Sequence, residues 1–119
     1  MNIQQLYEFC LAKKAVTEHF PFDEDTLVFK VMGKMFCLIS LSNADRMNLK
    51  CDPELAIQLR EQYTCVIPGF HMNKSLWNTV IIDGTVSGKI LKEWIEHSYD
   101  EVVKKMPAKV RRELEALKK

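Results

Sequence analysis

LVFKVMGKMFCLISL, residues 27–41, is the stretch on which the fold turns. Leu27, Phe29 and Val31 alternate with Val28 and Lys30, the two-residue period of a strand that gives one face to a core. Gly33 permits a tight turn, and Met35 to Leu41 reads as a second strand, which makes the stretch a β-hairpin. The second strand is apolar on both faces, so it belongs inside a sheet rather than at its margin.

Downstream, Met47, Leu49 and Cys51 alternate with Asn48 and Lys50, which predicts a third strand with one wet face. Asp52 followed by Pro53 is a helix start, a capping carboxylate and then a proline at the first helical position, with the helix running to about Tyr63. Short strands are expected at Cys65 to Ile67, before the Pro68-Gly69 break, and at Trp77 to Ile82, before Asp83-Gly84. From Ser87, an N-cap, the stripe Leu91, Trp94, Ile95, Ser98 and Val102 marks a long helix. Pro107 then opens a short final helix whose Val110, Leu114 and Leu117 are expected to dock. Upstream, Ile3, Leu6, Tyr7, Cys10 and Leu11 form one stripe of a helix capped by Asn2.

The pattern is an α+β fold, a mostly antiparallel sheet of about five strands flanked by helices, in one domain spanning residues 1–119. By the alternation, Lys30, Asn48 and Lys50 share the sheet face away from the helices, which is expected to lie open to a partner.

Composition narrows the class. With 47% hydrophobic and 28% charged residues the chain reads as an ordinary globular protein. No apolar run approaches the roughly 18–20 residues of a membrane span. The start, MNIQQLYEF, lacks the layout of a signal peptide, and a cytoplasmic monomer is expected. Cys10, Cys37, Cys51 and Cys65 have apolar neighbours and no CxxC spacing, which predicts buried free thiols. The net charge of +1 conceals a division: from Lys104 on, seven basic residues stand against two acidic ones, and residues 1–103 carry a net −4. Such a basic end is either a phosphate-attracting tail or a solvated helix.

Candidate chemistry is sparse. His19, His71 and His97 share no metal-binding spacing, no glycine-rich loop follows a strand, and no serine sits in a nucleophile elbow. No cofactor or metal is expected, and the protein is read as a non-enzyme. Asp23, Glu24 and Asp25 lack the ligand spacing of a calcium loop and read as solvated charge. The stretch PGFHMNKSLWN, residues 68–78, differs in concentrating polar and aromatic groups. Lys74 can contact phosphate, Asn73 or Asn78 can hydrogen-bond bases, and His71 or Trp77 can stack. Taken by themselves, the same residues better suit a loop pinned by a buried Trp77, with His71 and Asn73 satisfying backbone groups.

Four segments together resemble the MmcQ/YjbR family: LVFKVMGKMF at 27–36, LKCDPELAIQLREQY at 49–63, VIPGFHMNKSLWNTVIIDG at 66–84 and HSYDEVV at 97–103. The resemblance implies a CyaY-like α/β sandwich and double-stranded DNA binding through β-hairpin wings. Carried over residue by residue, it makes Lys30, Lys34, Lys50, His71, Asn73, Lys74, Trp77 and Asn78 the DNA-contacting set. PFDED at 21–25 departs from the family pattern, where glycine often follows Pro-Phe, and sets three negative charges beside the first strand of the hairpin. A frataxin-like iron role does not transfer, because helix 1 carries Glu8 but no acidic ridge. The rival expectation is a protein-interaction or small-ligand module built on the open sheet face and loop 68–78. A weaker one is an enzyme centred on His71, which needs a titratable partner within hydrogen-bond reach.

Overall fold

The structure is a computed structural model that describes residues 1–117. Lys118 and Lys119, the last basic residues of the charged tail, lie outside the described residues.

Helix α1 (Ile3–Leu11) begins with a capping box, in which the Asn2 side chain accepts from the Gln5 N–H and the Gln5 side chain accepts from the Asn2 N–H. The chain then passes through Ala15, at φ +60°, into β1 (Val16–His19). Strands β2 (Thr26–Val31) and β3 (Lys34–Ser40) form the expected hairpin. Met32 and Gly33 both have positive φ, +48° and +81°, as the two central residues of a type I′ turn require. β4 (Arg46–Lys50), α2 (Pro53–Gln62), β5 (Val66–Pro68), β6 (Trp77–Ile81), α3 (Gly88–Lys104) and α4 (Ala108–Ala116) complete the order. The sheet has six strands in the order β1-β2-β3-β4-β6-β5, with every pairing antiparallel. The expectation of about five strands missed β1, of which only Val16 is even half-buried.

The core lies between one sheet face and the helices. Leu27, Phe29 and Val31 of β2, Ile39 of β3, Met47 and Leu49 of β4 and Val80 of β6 meet Leu6 and Cys10 of α1 and Leu91, Ile95 and Val102 of α3. Phe36 and Cys37 are consecutive yet both fully buried in this cluster. A register shift between Phe29 and Lys30 pairs Phe29 with Cys37 and Lys30 with Met35, so Phe36 is the extra residue of a β-bulge and turns inward. There its ring meets Tyr99 edge-on at 5.5 Å. In α4, Leu114 is buried and Val110 packs against the core, but Leu117 falls beyond the helix and is exposed, contrary to its expected docking.

The second sheet face is not open at its centre. Val28, Leu38 and Trp77 form a separate buried cluster, and Met72 and Leu76 from the β5–β6 loop pack onto it together with Met35. Among the described residues no helix is long and apolar enough to cross a membrane.

All four cysteines are free and buried. A hydrogen bond to Cys10, and then burial, raise the Cys37 thiol well above its usual range, and burial pushes Cys51 up to about 11. The folded protein is therefore expected to resist an aromatic disulfide reagent at mildly alkaline pH and to release four thiols only in denaturant. Fast modification of one thiol under native conditions would show a reactive cysteine that this packing does not provide.

Candidate functional site

Loop 69–76 owes its path to a close approach. A Cβ on Gly69 would lie 2.8 Å from the Trp77 Cβ and 2.9 Å from its carbonyl oxygen, so only glycine lets the two backbones pass, joined by the bond from Gly69 N to Trp77 O. The loop then closes on itself. Trp77 N and Leu76 N donate to the Asn73 carbonyl, and Ser75 N donates to Asn73 Oδ1. Lys74 Nζ donates to Gly69 O at 2.9 Å, and Arg60 donates to Lys74 O at 2.9 Å. Across the sheet, Phe70 N donates to Thr79 Oγ1, Thr79 Oγ1 donates to Asn48 Oδ1, and Asn48 Nδ2 donates to Phe70 O. This triangle holds the loop down on the sheet.

These bonds divide the expected DNA-contacting set. Trp77 is 7% exposed and anchors the loop. Asn78 is 2% exposed, faces the helical side and donates to Ala56 O of α2, which removes it from any surface contact. Asn73 and Lys74 are exposed at the loop, where Asn73 Oδ1 accepts from Ser75 N and one of the three donors of the Lys74 ammonium goes to Gly69 O, so both side chains are tied to the loop's own backbone. His71 does reach the surface, with φ +59° and its ring 4.1 Å from that of Phe70.

Lys30, Lys34 and Lys50 collect instead at the hairpin end of the sheet, where β2 ends, β3 begins and β4 ends. Burial first, and then the positive charges of Lys105 and Lys34, lower the Lys50 ammonium below its usual range, against the pull of Glu101. Three lysines far apart in sequence are thus electrostatic neighbours. Glu101 is 3% exposed and pairs with Lys104. The α4 helix comes to the same end: Lys14, two residues before the start of β1, donates to Glu115 O, and Val16 pairs with Val31 beside the hairpin turn. Lys109, Arg111 and Arg112 of α4 are exposed.

The other end of the sheet carries a cleft of about 450 Å³. Its floor is Leu38, Asn48 and the β4 backbone at Met47, and its walls are Phe22 and Asp23 of the β1–β2 loop on one side and Phe70 to Met72 on the other. His71 therefore belongs to this cleft and is parted from the lysines.

A family model described as YjbR matches residues 11–101. The chain belongs to the YjbR family. An Escherichia coli K12 YjbR, described as an uncharacterized protein, is 31% identical over 113 residues, 94% of this chain and 96% of its own length. YbdF of Escherichia coli O157:H7, described in the same terms, is 37% identical over 84 residues, 70% of this chain and 69% of its own. Among solved structures, Deinococcus radiodurans protein DR2400, described as a DUF419 domain, matches with a TM-score of 0.89 and 38% identity over 96% of this chain and 88% of that one.

Within this YjbR chain, sequence reasoning overlooked Arg46, Phe22 and Phe70 of the cleft and Lys105 of the lysine group. Arg46 opens β4 and Phe22 stands in the loop before β2, separated in sequence by two strands, so no local pattern links them. The charge division at Lys104 was the available signal for Lys105, but only the packing of α3 on β3 and β4 carries that charge to Lys50.

Proposed function

We propose that this YjbR protein is a non-catalytic binder of double-stranded DNA that grips the phosphate backbone with the hairpin end of its sheet. The observation that carries the reading is the convergence of Lys34, Lys50 and Lys105 where the β2–β3 turn, the end of β4 and the end of α3 meet, with burial first, and then the charges of Lys105 and Lys34, lowering the Lys50 ammonium against the pull of Glu101. Adjacent cations that repel one another gain by sharing a polyanion. The β2–β3 turn stands beside them as the wing, and the exposed arginines of α4 extend the basic end. A net charge of only +1 does not oppose this, because steering depends on how charge is distributed, and Lys30, Lys34, Lys50 and Lys105 gather at one end of the sheet while Asp23, Glu24 and Asp25 stand in the β1–β2 loop at the other. Lys30, Lys34 and Lys50 remain in the contact set, Lys105 joins it, Asn73, Lys74 and Trp77 hold the loop, and Asn78 ties β6 to α2.

Fluorescence anisotropy with a short labelled duplex tests the reading. Binding is expected at about 50 mM salt, with log affinity falling linearly against log salt. The Lys34→Ala/Lys105→Ala variant is expected to bind more weakly and to lose about one unit of that slope for each lysine removed. Absence of binding at about 50 mM salt, or a variant with an unchanged slope, would sink the proposal.

A further inference from the structure

The cleft at the far end of the sheet is a built cavity rather than a surface irregularity. Its volume of about 450 Å³ lies within the usual range for small-molecule sites, roughly 300–1,000 Å³. Both walls are tied down. Asp23 Oδ1 accepts from Asp25 N at 2.9 Å and Thr26 N at 2.6 Å, a turn that fixes the Phe22 side. Asp25 accepts from the Ser40 hydroxyl and from both the hydroxyl and the N–H of Ser42, which fixes the β3–β4 turn at the cleft's mouth. These bonds hold both carboxyls below the usual range and occupy them as acceptors. On the opposite wall the Asn48–Thr79–Phe70 triangle holds the loop, and His71 keeps a left-handed backbone that few non-glycine residues adopt.

Two features of this cavity lack a structural reason. Phe22 and Phe70 are 62% and 60% exposed on opposite walls, although Leu38 on the floor between them is buried. Arg46 reaches the adjacent Asp45 only through Nε, at 3.5 Å and with both side chains partly in water. Its two terminal nitrogens have no acceptor among the described residues, so the guanidinium offers a planar fork of donors to whatever lies over the floor.

Aromatic walls, a floor that sets Leu38 beside the polar Asn48, and a guanidinium with two open terminal nitrogens match a single chemistry. We propose that the cleft binds a small planar aromatic carboxylate, its ring between Phe22 and Phe70 and its carboxylate on Arg46. His71 lies against Phe70 and closes the side of the ring site. The cleft lies at the opposite end of the sheet from the lysine group, so this site stands or falls independently of DNA binding.

Naphthoate serves as the probe and naphthamide as its uncharged counterpart, followed by amide chemical shifts in the intact chain. Naphthoate is expected to saturate, with the shifts concentrated in residues 22–26, 40–48 and 70–72 and little response to naphthamide. Arg46→Gln is expected to weaken naphthoate about tenfold while leaving thermal unfolding unchanged, because Arg46 is partly exposed and lightly bonded. Phe70→Ala is expected to weaken naphthoate as well, through loss of the ring contact on that wall. Equal affinity for naphthoate and naphthamide, shifts centred on residues 30–34 and 105, or no saturation would each overturn the proposal. So would a peptide that occupies the same amides through its terminal carboxylate more tightly than naphthoate.

Discussion

Trp77→Ala is expected to destabilise the protein by about 3–5 kcal/mol, with the urea midpoint falling on the order of 2 M. The indole fills the space between Val28 and Leu38 of the sheet and Met72 and Leu76 of the loop, and nothing nearby can collapse into it without drawing the loop inward. Alanine keeps the Cβ and backbone that Gly69 packs against, so the bond from Gly69 N to Trp77 O survives and the loss measures the indole alone. Amide exchange should rise first at Phe70, whose N–H depends on the loop staying over Thr79. The same variant separates an anchor from a stacking platform. As an anchor, Trp77 leaves DNA affinity of the folded fraction unchanged. A variant of near-normal stability that has lost DNA binding would refute the anchor reading.

The hairpin was legible because its signals are local: a two-residue period on each side of Gly33 and a turn that demands positive φ. The capped starts of α1, α2 and α3 were legible for the same reason, each needing only the side chain before the helix and the N–H three residues on. β1 was not. Val16-Thr-Glu-His19 is an edge strand whose last three residues are all exposed, so it has no buried face to impose alternation, and its existence depends on pairing with β2. Leu117 failed in the opposite sense. Its spacing from Leu114 continues the stripe, but the helix stops at Ala116 and the next residue turns away.

Site residues divide along the same line. Alternation correctly set Lys30, Asn48 and Lys50 apart from the core face, but it could not foresee that Met72 and Leu76 return onto the middle of the other one. Composition marked 68–78 as unusual without telling which polar groups the loop would consume itself. Lys74 illustrates the difficulty, because a lysine in an exposed loop reads as a freely swinging side chain until one of its ammonium donors is found on the Gly69 carbonyl. Arg46 and Phe22 carry no unusual local pattern and become a site only when sheet and loop bring them to one cleft.

Ser98 joins the helical layer to the lysine group, and its removal should be costly for so small a side chain. The β3–β4 ladder ends at Cys37 and Leu49 because the bulge has turned Phe36 into the core. Ser98, 0% exposed on α3, closes the gap: its hydroxyl donates to Phe36 O and accepts from Lys50 N at 2.8 Å. The next two amides are spent similarly, Cys51 N on Leu76 O and Asp52 N on His97 Nε2. Ser98→Ala removes a donor and an acceptor at once and leaves a buried N–H and a buried carbonyl unpaired, an expected loss of about 2–4 kcal/mol in urea unfolding. Ser98→Thr retains the hydroxyl and should recover part of that loss, limited by an added methyl in a closed core. Exchange of the Lys50 amide should accelerate in the alanine variant beyond the global change in stability. An alanine variant that loses less than about 1 kcal/mol and keeps that amide protected would mean that β3 and β4 can pair directly past the bulge. The bridge would then be dispensable, and α3 would position Lys105 beside Lys50 by apolar packing alone.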